Sequence, residues 1–527
     1  MRNFHMPGRS SIYSKNGMVA TSHPIAAKVG LDALNAGGNA IDAALAAAFV
    51  MPICEPHMTG LFGDMFALIK TDESRKTIGL NSSGMSPKKL NSSLLRAKGM
   101  NKVPADSVHS ITLPGAIKGL EKLALDHSIL GLEEACAPAI YYAEKGIPVA
   151  PRVSFDWTNS ANLLQGNARN FYLFDGQPPK AGQLFRAPKQ AEILKLIAKN
   201  GSAEFYEGEI ANDIINSLHE MGGLHTFEDL KNVECEYVDP ISANIKDSKL
   251  IELPPNGQGA TALLLGKILE HFDIGDLDPL GHERVHLEAE ATKLAYKMRN
   301  DYIADYSFLT DNFEYFYSEE NALRLANKIN LRKASPSLEP LSEEVHLDTV
   351  LITAIDKDRN SVSLIFSIFH LFGSGLCSEK YGLLFHNRGA GFVLNQGHPN
   401  ELLGGKRPMH TIIPAMVERN EESYLSFGVM GGQYQPTGHI RLLSNLLDYS
   451  MDLQQAIDLP RSFADTTGLI LETGYSDKIA SSLSQMGHNI IRPISPLGGA
   501  QAILTDHSDD TLIGGSDPRK DGCAIGY

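Results

Sequence analysis

Two β-branched, apolar-rich runs joined by a short polar turn constrain the fold of this chain most strongly. The runs are 349–355 and 361–369, and the residues between them, DKDRN at 356–360, are typical of a turn between strands. The pattern predicts a β-hairpin that opens with Thr349. A threonine at the start of a strand is ordinarily just a β-branched residue where such residues fit. It becomes a nucleophile only if the chain is cut before it, because its own terminal amine can then act as base for its hydroxyl.

Length and charge limit the classes of protein and the kinds of partner that fit this chain. The 527 residues contain no repeat, low-complexity tract or Pro/Gly/Ser-rich linker, which indicates one large globular unit with ample chain for a core. The formal net charge of −15 argues against nucleic acid and anionic membranes as partners, since both require a basic face. The first 17 residues lack the apolar core and cleavage pattern of a secretory signal, so a cytoplasmic location is expected.

The cysteines and the most apolar run point to structure rather than to chemistry. Five scattered cysteines without CxxC spacing indicate neither a disulfide framework nor a zinc site, and buried free thiols are expected. No metal or organic cofactor is implied. The apolar run 40–54 is too short to span a bilayer and contains Asp42 and Pro52, so it is predicted to be a core helix.

Local signals order the first part of the chain. A short strand at 18–21 precedes a helix that starts at His23-Pro24 and ends at Gly37-Gly38, after which Asn39 can cap the apolar helix that begins at Ala40. A glycine-punctuated turn, 55–63, then leads into a strand at 64–70.

Three polar stretches have a plain structural interpretation. The Glu55 and His57 side chains in that turn favour a structural pair over a catalytic one. The loop 254–260 is rich in glycine but lacks a phosphate-loop motif, so it is only a weak indication of phosphate binding. The helix around 286–299 carries charges at helical spacing, and the predicted solvated face consists of Glu288, Glu290, Lys293 and Arg299.

Motifs spread over almost the whole chain resemble γ-glutamyltranspeptidases. In the second part of the chain they are DTV at 348–350, DKDRNSVS at 356–363, FGSG at 372–375, YGLLFHN at 381–387 and KRP at 406–408. In the first part they are GGNAIDAA at 37–44 and EPH at 55–57. Members of that family are N-terminal-nucleophile hydrolases, made as one precursor that cuts itself before the catalytic threonine.

The resemblance implies both a fold and a processing step. The expected fold is α+β, the four-layer αββα sandwich of the N-terminal-nucleophile hydrolases. The expected cut lies between Asp348 and Thr349. Residues 1–348 and 349–527 would then be the large and small fragments of one intertwined unit, each the partner of the other.

The resemblance also assigns the reaction chemistry. Thr349 corresponds to the nucleophile, and Gly431 and Gly432 correspond to the pair whose backbone N–H groups stabilise the oxyanion. Ser367 corresponds to a hydroxyl that hydrogen-bonds the nucleophile. Without the resemblance, the two glycines would be an ordinary strand-to-helix turn, and Ser367 would be a polar residue on the exposed face of a strand.

The positions that recognise an amino-acid head group depart from the family. Ser92 stands where the family has the arginine that binds the substrate α-carboxylate, and Gly391 stands where it has the acidic residue that binds the α-ammonium. Phe369 replaces an asparagine, and His410 and Thr411 replace a pair of serines. The segment between Phe392 and Lys406 is short, so the lid found in some relatives is expected to be absent.

Two cations are predicted near the substrate instead. Arg388 and His410 could form a pocket for a carboxylate without an ammonium group, with the arginine binding both oxygens. For Arg388 a salt bridge near the surface is an equally good interpretation. The RGAxF and RPxHT patterns resemble the family branch that includes oxamate amidohydrolase and related acylases.

The function expected from the sequence is a self-processing threonine amidohydrolase or acyltransferase. Its default substrate is a γ-glutamyl amide such as glutathione, and another small amide bearing a carboxylate is the main alternative. Val350 and Leu351 replace polar residues that commonly follow the nucleophile, so an unprocessed binding protein of the same shape also stays open. The acyl group, the balance of hydrolysis and transfer, and whether the protein is a homo-oligomer are undecided at this level.

Overall fold

The computed structural model describes residues 8–71, 76–309, 312–337 and 349–527. The strands are β1 (Ile12–Ser14), β2 (Met18–Thr21), β3 (Asp64–Lys70), β4 (Thr77–Ser82), β5 (Ile147–Pro148), β6 (Leu184–Phe185), β7 (Glu236–Val238), β8 (Ile241–Ile245), β9 (Ser248–Glu252), β10 (Val350–Ile355), β11 (Ser361–Ser367), β12 (Ala415–Arg419), β13 (Glu422–Met430), β14 (Ser462–Ala464), β15 (Leu469–Leu471), β16 (Ile490–Ile491), β17 (Gly499–Asp506), β18 (Thr511–Ser516) and β19 (Cys523–Gly526).

The helices lie mainly in the first two thirds of the chain. They are α1 (Pro24–Asn35), α2 (Ala40–Cys54), α3 (Ser92–Ala97), α4 (Ala116–His127), α5 (Leu132–Lys145), α6 (Pro151–Ser160), α7 (Ala168–Tyr172), α8 (Pro188–Asn200), α9 (Ala203–Tyr206), α10 (Glu209–Glu220), α11 (Phe227–Lys231), α12 (Gly259–Leu269), α13 (His282–Tyr302), α14 (Glu319–Ala326), α15 (Gln435–Leu447), α16 (Leu453–Asp458) and α17 (Asp477–Gln485).

Two seven-stranded antiparallel sheets form the centre of the molecule. The first sheet has the order β19-β2-β10-β11-β3-β4-β7, and the second has the order β1-β18-β17-β13-β12-β9-β8. Each sheet takes strands from both sides of position 349. Residues before and after that position therefore build one unit, while the division into fragments 1–348 and 349–527 stays a prediction.

The sheets face each other and carry helices on their outer faces. Between them, Phe66 and Leu351 of the first sheet share an apolar cluster with Met416 and Met430 of the second. Helices α1, α2 and α4 pack against the first sheet, with α5 against α2, and helices α12 and α15 pack against the second, with α13 against α12. This is the predicted α+β, four-layer αββα sandwich, so the expected fold is confirmed.

Helix α2 is the predicted core helix. Asn39 caps it, accepting from the backbone N–H of Asp42, while the Asp42 carboxylate accepts from that of Asn39. Every residue of α2 is buried, and the helix runs on through Pro52 to Cys54. All five cysteines are free thiols, three of them buried. No helix in the described parts of the chain combines the length and apolarity needed to cross a bilayer.

The predicted hairpin is present as β10 and β11. Val350 faces Phe366 and Ile355 faces Ser361 across the antiparallel pair. In the turn, Asp356 Oδ1 accepts from the backbone N–H groups of Asp358 and Asn360. Side-chain bonds of this kind are why Asp and Asn favour turns.

The predicted solvated face of the helix around 286–299 is wrong. Glu288, Glu290, Lys293 and Arg299 are all buried in α13, which packs against α12, α14, α17 and β14. Their charges are paired or hydrogen-bonded inside the protein, as where Glu288 binds both Arg284 and Arg441. Helical spacing of charges does not distinguish a solvated face from a face whose partners come from other elements.

Candidate active site

Thr349 lies at one end of the first sheet, in a row with Ser367 and Asp64. Ser367 on β11 pairs with Asp64 on β3. Extending the β10–β11 register by one position places Thr349 opposite Ser367. Directly opposed residues share a face of the sheet, so these side chains are neighbours. All three residues are fully buried, so the alternative of an exposed Ser367 is wrong.

Helix α15 approaches Thr349 from the second sheet. Gln435, its first residue, donates from Nε2 to the Thr349 hydroxyl at 3.5 Å. Its Oε1 accepts from the backbone N–H of Ile413 at 2.9 Å. One buried amide thus joins the threonine to the segment between Thr411 and β12, a contact that the sequence did not predict.

Gly431 and Gly432 form the turn between β13 and α15. Their φ angles are 130° and 54°, in the region that favours glycine. A Cβ atom on Gly431 would lie 2.8 Å from Cα of Gly498, so the turn has no room for a side chain there. Backbone N–H groups in such a turn can approach a developing oxyanion without side chains between them.

Gln258 connects this turn to the predicted substrate-binding segment. Its Nε2 donates to the carbonyl of Thr411 at 2.7 Å and to that of Gly432 at 3.0 Å. Its Oε1 accepts from Arg299 at 2.8 Å, and Arg299 also donates to the Gln433 side chain. Sequence reasoning missed both residues, treating one as part of a weak phosphate loop and the other as solvated.

Asp64 is the acidic centre of the site. Its Oδ1 accepts from the backbone N–H groups of Gly84 at 2.8 Å and Gly115 at 3.1 Å. Its Oδ2 faces Nε2 of His410 at 3.3 Å and Nδ1 of His386 at 3.5 Å. Fully buried and held by backbone donors, this carboxylate balances the positive charge of the arginine beside it.

The interpretation of His410 as a second cation is corrected by its bonds. Its Nδ1 accepts from the backbone N–H of Ile412 at 3.4 Å, so in a neutral ring Nε2 carries the proton that faces Asp64. Burial and the nearby Arg388 charge lower the pKa of His410 to about 3. Of the two predicted cations, Arg388 is therefore positively charged at neutral pH and His410 is neutral.

Arg388 lies in the interior, beside the predicted nucleophile. Its Nη1 donates to the Thr411 hydroxyl at 3.1 Å and its Nη2 to the Ser367 hydroxyl at 3.5 Å. The guanidinium carbon lies 4.2 Å from the Phe369 ring centroid, and Nε lies 3.9 Å from the Asp64 carboxylate. Burial lowers the pKa of Arg388 to about 9, which leaves it charged at neutral pH. The alternative of a salt bridge near the surface is wrong, because Arg388 is fully buried.

The two departures at head-group positions have local partners. Ser92 donates to the Glu401 carboxylate, and Arg96 in the same helix contacts both Ser92, at 3.0 Å, and Glu401, at 3.1 Å. Gly391 lies in a tight turn, and its carbonyl accepts from Nδ2 of Asn400 at 2.7 Å. A Cβ atom on Gly391 would meet the Met409 carbonyl at 3.0 Å, so the turn is closely packed there.

Among the described residues, two other polar clusters make no contact with this site. In the first cluster, Nε2 of His57 lies 3.7 Å from the Asp156 carboxylate. Burial raises the pKa of the nearby Glu55 to about 7. His286, Glu290 and His488 bring three metal-ligand types together in the described residues. His286 already hydrogen-bonds His488 and the Asn330 carbonyl, and Lys293 pairs with Glu290. The positive charge of Lys293 opposes the binding of a metal ion to this cluster.

The structure thus brings the predicted site residues together from distant parts of the chain. Thr349, Ser367, Arg388, Thr411 and the turn at Gly431 and Gly432 are linked by the contacts above, with His410 joined through Asp64. Asp348, the other side of the predicted cut, lies outside the described residues. The roles of all these residues stay predictions.

Comparison with known proteins identifies the family. The gamma-glutamyltranspeptidase family model matches residues 26–527. The chain belongs to the γ-glutamyltranspeptidase family. It is 32% identical to the glutathione hydrolase-like YwrD proenzyme of Bacillus subtilis (strain 168), covering 98% of this chain and 99% of that protein. It is 30% identical to the oxamate amidohydrolase proenzyme of Klebsiella pneumoniae, covering 98% of this chain and 100% of that protein.

A solved structure agrees with this γ-glutamyltranspeptidase membership. The crystal structure of cephalosporin acylase from Bacillus halodurans superposes with a TM-score of 0.92 at 34% identity, covering 100% of this chain and 99% of that one. The chain is therefore an enzyme of the γ-glutamyltranspeptidase family, with the fold of the N-terminal-nucleophile hydrolases. The expected family and enzyme class are confirmed.

Proposed function

We propose that this family member is a self-processing threonine amidohydrolase for small amides whose acyl group carries a carboxylate. The observation that carries the proposal is Arg388. Its buried, charged guanidinium lies beside the hydroxyl of Thr411 and beside that of Ser367, which shares a row with Thr349. Arginine binds carboxylates through two parallel N–H···O bonds, which makes it suited to this group.

The first step is the cut between Asp348 and Thr349. The Thr349 hydroxyl loses its proton and its Oγ bonds to the carbonyl carbon of Asp348. The peptide C–N bond breaks, and the nitrogen gains a proton to become a free terminal amine. Water then hydrolyses the ester. The word proenzyme in the names of the two relatives described above supports this step.

The second step is acyl transfer through the same hydroxyl. The new amine accepts the hydroxyl proton as Oγ attacks the substrate amide. The N–H groups of the turn at Gly431 and Gly432 stabilise the negative charge on the amide oxygen, and the leaving amine takes the proton. The acyl group bound to Thr349 is then released to water or to an acceptor amine.

The recognition residues favour an acyl group without an α-ammonium. Gly391 offers no carboxylate at the position where the family's acidic residue binds that group. Asp64 is engaged by two backbone N–H groups and two histidine rings. The carboxylate of the acyl group is expected to bind the terminal nitrogens of Arg388. The relative named oxamate amidohydrolase supports this assignment, because oxamate carries a carboxylate and no α-ammonium.

Intact mass spectrometry tests the first step. Purified protein is incubated for days beside a Thr349→Ala variant, and the masses are recorded at intervals. Two fragments that meet at Asp348–Thr349, absent from the variant, are the expected result. A single uncut chain in both samples would support the alternative of a binding protein with the same fold.

Three matched anilides test the second step. Glutaryl and γ-glutamyl anilides differ only by the α-ammonium, and a valeryl anilide replaces the carboxylate with a methyl group. We expect kcat/KM to be highest for glutaryl and lowest for valeryl. Equal turnover of glutaryl and valeryl anilides would contradict a carboxylate-binding role for Arg388.

A γ-glutamyl amide such as glutathione is the second candidate substrate. The names of similar family members that are glutathione hydrolases, or glutathione hydrolase-like, favour it. A γ-glutamyl anilide cleaved at least as fast as the glutaryl one would establish it. The cytoplasmic location remains a prediction, and the sequence favoured neither hydrolysis nor transfer and assigned no oligomeric state.

A further inference from the structure

A buried histidine–glutamate pair lies directly behind the glycine turn. His439 is on α15, one helical turn after Gln435, and Glu252 is the last residue of β9. His439 Nδ1 lies 2.7 Å from Oε1 of Glu252, and both residues are fully buried. Neither residue has a role in the chemistry described above.

The pair binds the strand that leads into the turn. Strand β12 stops pairing with β13 at Ala415 and Phe427, whereas β17 continues alongside β13 to Met430. On the edge of β13 that β12 no longer pairs with, the backbone N–H of Val429 donates to Nε2 of His439 at 3.1 Å. An imidazole nitrogen thus takes the place of a strand carbonyl two residues before Gly431.

The hydrogen bonds determine the protonation state of the ring. Because Nε2 accepts from Val429, the proton of the neutral ring is on Nδ1 and is donated to Glu252. A second ring proton, on Nε2, would make the N–H group of the ring and that of Val429 point at each other. Burial lowers the pKa of His439 to about 3 and raises that of Glu252 well above its usual value, so it disfavours the charged form of both groups.

Close packing makes this contact rigid. A Cβ atom on Gly438 would lie 2.6 Å from Cγ1 of Val429, so α15 can approach β13 this closely only with glycine there. The same helix begins with Gln435, which contacts Thr349. Helix α15 therefore holds both the nucleophile and the strand that carries the oxyanion turn.

We propose that Glu252 and His439 are positioning residues that hold the turn at Gly431 and Gly432 in register with Thr349. This inference rests on the proposed function of that turn. Glu252 selects the ring tautomer, His439 holds Val429, and Val429 sets where the strand ends. Oxyanion donors stabilise a transition state only when they are held close to the correct position, so small displacements of the turn reduce turnover.

The test compares leucine and glutamine substitutions. His439→Leu removes the acceptor for Val429, whereas His439→Gln keeps an oxygen able to accept that bond and an amide able to donate to Glu252. Because displacing catalytic groups is costly, we expect His439→Leu to lower kcat at least about tenfold with KM changed less than about twofold. His439→Gln should recover most of that loss, and Glu252→Gln should retain more activity than Glu252→Leu.

Asn445→Leu is the matched control for a purely structural role. Asn445 is buried on the same helix and donates to the Ala456 carbonyl, away from the turn. Melting temperature, kcat and KM are measured for all variants with whichever of the three anilides the wild type hydrolyses. Asn445→Leu should lower the melting temperature without lowering kcat. A His439→Leu enzyme with wild-type kcat would overturn the inference.

The same experiment separates this inference from the proposed function. If the wild type neither cuts itself nor hydrolyses any of the anilides, the proposed function fails and the positioning role falls with it. If the wild type turns over and kcat is unaffected by the leucine variants, only the positioning role fails.

Discussion

The two ends of the active site differ in how much they retain of the family pattern. At the reaction end, the resemblance predicts that Thr349, Ser367 and the turn at Gly431 and Gly432 all match it. At the recognition end, it predicts that Ser92 and Gly391 stand in place of the charged residues that bind an amino-acid head group. Arg388 lies between the two ends, next to Ser367.

The difference follows from what each end must do. The cleavage of any amide requires a nucleophile, a base and donors for the oxyanion, so the reaction itself constrains the residues at the reaction end. The recognition end must match only one acyl group, so its charges can change without altering the chemistry. This comparison teaches that reaction class and substrate should be tested with separate variants.

The largest effect is expected at the reaction end, from Thr349→Ala. Without the hydroxyl no acyl-enzyme can form, so self-cleavage and the turnover of every anilide should be lost. Thr349→Ser keeps a hydroxyl and is the control, which should retain slower cleavage. Mass spectrometry and anilide hydrolysis measure both reactions. Residual cleavage at position 348 in the alanine variant would assign the nucleophile elsewhere.

The next largest effect is expected from Gly431→Ala. A Cβ atom there would lie 2.8 Å from Cα of Gly498, so the turn must move. Loss of oxyanion donors should lower kcat about a hundredfold for every anilide that the enzyme hydrolyses.

Gly222→Ala separates a displaced turn from backbone strain. Gly222 also has a positive φ, 83°, but a Cβ atom there would have open space around it. Its substitution should cost some stability and leave kcat unchanged. If the two alanine variants lose activity equally, Gly431 has no special part in catalysis.

Arg388→Lys should affect only substrates that carry the carboxylate. Lysine keeps the charge but cannot form two parallel hydrogen bonds, so kcat/KM for the glutaryl anilide should fall about tenfold or more. The valeryl anilide is the internal control and should be hydrolysed at nearly the wild-type rate. Steady-state kinetics measure both. Equal losses on the two substrates would place Arg388 at the reaction end instead.

The smallest effect is expected on acid stability. Burial is the main reason that the pKa values of His386 and His410 are lowered to about 3, whereas the ordinary value is about 6.5. As pH falls below about 6.5 the unfolded chain binds protons that the folded chain does not, so the free energy of unfolding decreases toward pH 3. Above pH 6.5 this contribution is fully present.

His386→Gln tests this dependence. The variant removes one of the buried rings and should make the melting temperature fall less steeply between pH 7 and about pH 4. His507→Gln is the control, since that ring is 41% exposed whereas the His386 ring is fully buried. An unchanged slope for His386→Gln would mean that this ring does not contribute to acid unfolding.

Local patterns in the sequence were sufficient for much of the fold. The two β-branched, apolar-rich runs and the turn residues between them predicted the hairpin, and the capping residue Asn39 predicted where α2 begins. Both signals involve residues a few positions apart, so the chain itself contains the necessary information. The family resemblance supplied the αββα sandwich, which periodicity alone does not indicate.

The polar framework of the site could not be predicted in this way. Gln258, Arg299 and Gln435 were missed or misjudged, and Asp64 was only the first residue of a predicted strand. Each has its partners far away in the chain, as where Asp64 meets His410 and Gln258 meets Gly432. A charged or amide side chain has the same local pattern whether it faces solvent or a distant partner.

The sequence by itself determined several of the elements, the family and the residue types available for the reaction, because these depend on spacing and motif. Only the tertiary structure decided that His410 is neutral, that Arg388 is a buried charge beside Ser367, and that His439 binds the strand before the oxyanion turn. The physical reason is that burial and hydrogen-bond partners set the charge state of a side chain, and both arise only when distant segments pack together.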